Sequence, residues 1–69
     1  MKKIKHWKQR IKDSGYTQRE FCKMFNEQKN ADVKFTLYES FLSNCLRGYI
    51  RPRAFQVLLV EEFLERLGV

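Results

Sequence analysis

Only four residues of this 69-residue chain oppose a helix by their own chemistry: the glycines at 15, 48 and 68 and the proline at 52. Glycine reaches the left-handed conformation that ends a helix, and proline, lacking an N–H, fits the first turn of one. Strand-like alternation is not sustained anywhere, so the stretches between these marks read as helices. The chain is expected to be all-α. The first helix runs from about Ile4 to Asp13, with Ile4, Trp7 and Ile11 at i, i+3 and i+7 and Gly15 as its exit. Trp7 at that spacing is a core anchor.

Thr17-Gln18-Arg19-Glu20 opens a second helix as a capping box, with Tyr16 and Phe21 placed to form a hydrophobic staple. Phe21, Cys22, Met24 and Phe25 supply its buried side, and Asn26 can end it. A second box, Thr36-Leu37-Tyr38-Glu39, opens a third helix that Gly48 stops. Tyr38, Leu42, Cys45 and Leu46 mark its buried stripe, with Phe41 at the edge. Ser40, Ser43, Asn44 and Arg47 recur on the opposite face. A short-polar face is unusual for a solvated surface, which favours the better helix formers Glu and Lys. The ten residues 26–35 form a polar connector, whose Val33 and Phe35 can tuck onto the core or make a brief extended piece. The last helix starts at Pro52 and runs to about Leu67. Val57, Val60, Leu64 and Leu67 face the core, while Phe55, Leu59 and Phe63 form a second stripe beside them. An apolar arc that wide usually has a partner.

Composition narrows the function. One body of this size buries only about 60% of its unfolded surface, which leaves little room for a long substrate cleft. Ten aromatics and a 43% hydrophobic fraction are too rich for disorder. Residues 1–53 carry 13 Lys and Arg against 5 Asp and Glu, a net +8, whereas residues 54–69 carry a net −2. A basic body with an acidic, apolar tail suggests a polyanion on one side and a protein partner on the other. The lysine-rich start is followed by Lys8, Arg10 and Lys12 where a signal peptide needs an apolar core, and the longest apolar run is Val57–Val60. The expected location is the cytoplasm, with no membrane. His6 stands alone, and Cys22 and Cys45 form no C-x-x-C pair, so no metal or cofactor is expected. The two cysteines sit among apolar helix positions and read as packed free thiols rather than one disulfide. One histidine, no paired catalytic constellation and no glycine-rich phosphate loop argue against an enzyme. No small-molecule ligand is expected.

The run Gly15-Tyr16-Thr17-Gln18-Arg19-Glu20-Phe21-Cys22 resembles the second helix of the phage repressor and Cro family, where the equivalent reads roughly G-x-T-Q-x-E-L-A. Ser40 to Pro52 is similar to that family's recognition helix, S-x-I-S-x-x-L-x-G-x-x-x-P. Glu65-Arg66-Leu67-Gly68-Val69 resembles its closing A-x-x-L-G-V. The likeness covers nearly the whole chain and implies a small four- to five-helix, lambda-repressor-like helix-turn-helix domain, with the motif at about 17–48 and the last helix at about 52–67. It departs in the connector, since a helix-turn-helix joins its helices in about 3–4 residues. Lys29, Asn30 and Lys34 can reach phosphates from that connector, or it is a solvated insertion.

The resemblance implies a sequence-specific double-stranded DNA-binding regulator, of phage or mobile-element type and working on the bacterial nucleoid. Ser40, Ser43, Asn44 and Arg47 are the expected base readers in the major groove. Lys5, Arg10, Lys12, Gln18, Arg19, Lys34, Arg51 and Arg53 are the expected phosphate contacts. Two copies on a palindromic operator are expected, paired through Phe55, Leu59 and Phe63. The alternative to a pre-formed homodimer is a monomer that pairs only on DNA. The rival to the DNA reading is a protein-interaction module such as an antirepressor, since fold alone does not give function. RNA binding is a third reading, favoured only where Tyr49 and Trp7 stack bases.

Overall fold

The computed structural model describes residues 4–69, without the side chain of Lys5. Helix makes up 65% of the described residues, and no strand occurs among them. A 3-10 turn, Ile4–His6, leads into α1, Trp7–Asp13, followed by α2, Gln18–Gln28, α3, Glu39–Leu46, and α4, Ala54–Leu67. The α2 start is fixed by the box at its N-terminus. The Glu20 N–H donates to Thr17 Oγ1 at 3.1 Å, and the Thr17 N–H donates to Glu20 Oε1 at 3.0 Å. After α3 the chain turns at Gly48, whose φ of +83° favours glycine. A Cβ there would meet nothing within 4 Å, so conformation rather than space selects the residue.

The core gathers one side of every helix. Trp7 and Ile11, Phe21 and Phe25, Leu42, and Val57, Val60, Phe63 and Leu64 are all buried, joined by Leu37 from the connector. Phe63 meets Phe21 and Phe25 edge-on, with ring centroids 5.3 and 5.6 Å apart. Such pairs contribute about 0.5–1.5 kcal/mol each beyond their burial. The α2 and α3 helices pack on each other, and the N-terminal 3-10 turn packs on α3.

Several local expectations are corrected by long-range contacts. Asn26 does not end α2, which continues to Gln28. Its amide is held instead by the connector, where Oδ1 accepts from the Leu37 N–H at 2.8 Å and Nδ2 donates to the Leu37 carbonyl at 2.9 Å. The second capping box does not form. The Lys29 ammonium donates to the Phe35 carbonyl at 2.7 Å and to Thr36 Oγ1 at 3.3 Å, which ties Thr36 to the end of α2. Tyr38 becomes the N-cap of α3, makes no side-chain cap bond, and is 65% exposed rather than part of a buried stripe. The connector is thus residues 29–38, anchored at both ends. Tyr16, expected to staple, is exposed while Phe21 is buried. Pro52 is buried ahead of α4 instead of opening it. Arg53 is the N-cap, and its N–H donates to Gln56 Oε1 at 2.9 Å.

Candidate nucleic-acid interface

The α3 helix is amphipathic, though of the expected buried stripe Leu46 is only half-buried and Tyr38 is exposed. Leu42 and Cys45 are buried, Ser43 and Asn44 are half-buried, and Ser40 and Arg47 are exposed. The turn after it is bound back onto α3, because the Tyr49 N–H donates to the Asn44 carbonyl at 2.9 Å. Beyond Gly48, Tyr49 is 76% exposed, and Arg51 and Arg53 are exposed too. Three arginines, at 47, 51 and 53, therefore lie open to solvent within seven residues at the C-terminal side of the short-polar face. A cavity of about 300 Å³ beneath this turn is lined by Ile4, Leu46, Ile50, Arg47 and Arg51, so the N-terminal 3-10 turn supports it.

Gln18, half-buried, and Arg19, exposed, sit in the first turn of α2. A helix start leaves amides without intrahelical partners, and the capping box occupies only part of that set. The remainder favour an anion. The box also acts on Glu20: the Thr17 N–H, and then the Thr17 hydroxyl, hold its carboxyl below the usual value of 4.5. Lys12 is exposed on α1 and Lys34 on the connector. The expected contact through Lys5 lies outside the described side chains.

Arg10 is not available as a phosphate contact. Its Nη1 donates to Glu61 Oε2 at 2.6 Å, and its Nε and Nη2 donate to the Val69 carbonyl at 3.0 and 2.9 Å. Glu61 Oε2 also accepts from Trp7 Nε1 at 2.8 Å. A mostly buried carboxylate needs a cation, and Arg10 supplies it. Lys29 is likewise taken up by the connector. Trp7, at 1% exposure, cannot stack a base.

The stripe expected on the last helix is also corrected. Phe63 is 4% exposed and belongs to the core, whereas Phe55 and Leu58 are more than half exposed and Leu59 is half-buried. The sequence held the signal: at about 100° per residue, Phe63 falls beside Val60 and Leu67, and Leu58 falls opposite them. Phe55, Leu58 and Leu59 form one wall of a groove of about 590 Å³, and Val33 and Phe35 of the connector form the other. Sequence reasoning missed this groove because it depends on where the connector lies.

Cys22 and Cys45 are free and buried. Burial, followed by the charge of Glu39, pushes the Cys22 thiol up to about 11, and burial raises Cys45 as well. Both are poor nucleophiles at neutral pH. Among the described residues no three His, Cys, Asp or Glu side chains come together as a metal site. None of the described helices is long and apolar enough to cross a membrane. The chain matches no protein-family model, no curated protein and no solved structure.

Proposed function

We propose that this protein is a lambda-repressor-like, sequence-specific regulator of Cro or repressor type that binds double-stranded DNA and reads the major groove with α3. The observation that carries the reading is the short-polar face of α3 running into the exposed arginines 47, 51 and 53. Asn44 suits the N6/N7 edge of adenine, Arg47 suits guanine or a phosphate, and Ser40 and Ser43 suit either kind of base edge. Gln18, Arg19, Lys12, Lys34, Arg51 and Arg53 position the duplex through its backbone. The net +8 of residues 1–53 supplies the attraction. Two copies bind a palindromic operator in the cytoplasm.

Anisotropy titration of mixed duplexes at several salt concentrations tests this. Contacts to about 4–6 phosphates give a log–log salt slope of about −4 to −5. No binding at low salt would overturn the proposal. One observation favours a second reading, a protein-interaction module: the open apolar groove beside α4. Under that reading duplex affinity is weak and the groove carries the function.

A further inference from the structure

The cavity of about 300 Å³ under the turn after α3 combines two chemistries. Gly48 reverses the chain there, and the Tyr49 and Ile50 N–H groups both donate to the Asn44 carbonyl, at 2.9 and 3.4 Å. That fold-back places Ile50 on one cavity with Leu46 and Ile4, and Arg51 on it with Arg47. Both arginines are exposed, whereas Leu46 and Ile4 are half-buried.

No acidic residue is among those lining the cavity, and the ion pair found among the described residues, Arg10–Glu61, lies on other elements. Two guanidinium groups thus share a small space without a counter-charge. Their mutual repulsion favours an anion, and each offers a planar fork of donors that fits a carboxylate, sulfonate or phosphate. The C-terminal end of a helix ordinarily opposes negative charge. Here its carbonyls are occupied: Ser43 accepts from the Arg47 N–H and Cys45 from the Gly48 N–H, both at 3.1 Å, and Asn44 accepts from the turn. A bare phosphate would satisfy the arginines and leave Ile4, Leu46 and Ile50 wet. The volume is at the low end of ligand sites, about 300–1,000 Å³.

We infer that this cavity binds a small amphiphilic anion, with one acidic group held between Arg47 and Arg51 and a compact apolar body of about ten non-hydrogen atoms over Ile4, Leu46 and Ile50. This departs from the expectation that no small-molecule ligand binds. The site stands apart from the DNA reading. Only its consequence rests on that reading: a bound anion takes the two arginines that meet the duplex, so ligand and DNA exclude each other.

Naphthalene-2-sulfonate is the probe, followed by backbone amide NMR shifts of the full chain without DNA. The expected Kd is about 0.1–1 mM, as fits a ligand of this size, with shifts centred on Leu46, Gly48 and Ile50. Methanesulfonate, the headgroup without the body, and neutral 2-naphthol each bind at least about tenfold more weakly. Arg47→Gln and Arg51→Gln stay folded by far-UV circular dichroism and each weaken the probe about two- to fivefold, the range of an exposed ion pair. Leu58→Ser, in the groove beside α4, leaves its affinity unchanged. Shifts centred on Phe55 and Leu58, equal affinity for methanesulfonate or 2-naphthol, or arginine variants that bind as wild type would each overturn the inference. In anisotropy, naphthalene-2-sulfonate displaces a duplex where the same concentration of methanesulfonate does not. A duplex that stays bound beside saturating probe would overturn the exclusion, while a chain that binds no duplex overturns the DNA reading and leaves the ligand site standing.

Discussion

The Asn26 side chain holds both backbone polar groups of Leu37, eleven residues further on, through bonds of 2.8 and 2.9 Å. Leu37 is 1% exposed, so water cannot readily replace those bonds. One amide thus does what a neighbouring strand does elsewhere, and it brings the start of α3 against α2 despite the long connector. Asn26→Ala removes both partners at once. The expected loss is about 1–3 kcal/mol, the cost of leaving buried polar groups unpaired. With a urea slope of about 1 kcal/mol/M, the unfolding midpoint falls by about 1–3 M. A midpoint shift within error of zero would remove Asn26 as the clamp.

Trp7 gives an optical view of a second, part-buried polar cluster. It is the only tryptophan, and its Nε1 donates to the same Glu61 oxygen that pairs with Arg10. Glu61→Ala strands both donors and is expected to cost about 1–3 kcal/mol. The native-state emission of Trp7 changes with it. Glu61→Gln retains an acceptor without the charge and falls between wild type and Glu61→Ala. Equal losses for the two variants would mean that the indole bond contributes nothing.

Strong acid is expected to loosen the start of α2. Glu20 is more acidic folded than unfolded, so it contributes stability that is present above its ordinary value of 4.5. That contribution disappears as pH falls through its lowered folded value. The Thr17 amide resonance, followed by NMR during acid titration, is expected to move with Glu20 and to titrate below 4.5. Titration at or above the ordinary value would show that the box is not formed in solution.

Specificity and affinity are expected to separate between α3 and the arginines that follow it. Asn44→Ala costs about 1–3 kcal/mol on the preferred duplex and relaxes preference at one base pair. Arg51→Ala weakens all duplexes about equally and flattens the salt slope by about one. A selection from random duplexes with each variant measures both effects. The same pattern from both variants would mean that Asn44 does not read a base.

Local chemistry made the helices legible, and long-range chemistry hid their ends. Thr17 and Glu20 form their box at the first turn of α2, while the same T-x-x-E spacing at Thr36 fails because α3 starts only at Glu39, which leaves Thr36 ahead of the N-cap with its hydroxyl turned to the Lys29 ammonium. Asn26 has the composition of a helix terminator, but its partner lies across the turn. Arg10 reads as a surface cation by residue type, and only its meeting with Glu61, 51 residues away, removes it from the candidate interface. The polar face of α3 was legible because it depends on helical spacing alone. The groove was not, since half of it is connector.

Phe35 belongs to no helix, yet its ring lies edge-on to Phe25 of α2, Phe41 of α3 and Phe55 of α4, with centroids 6.0, 5.8 and 6.3 Å away. This inverts the usual map of which positions accept change. In a library randomised at every position, the connector would show Phe35, beside the buried Leu37, as intolerant as the core, a few residues from Ala31 and Asp32, which are exposed and permissive. A redesign that trimmed the connector to a conventional short turn would delete the residue on which three helices meet.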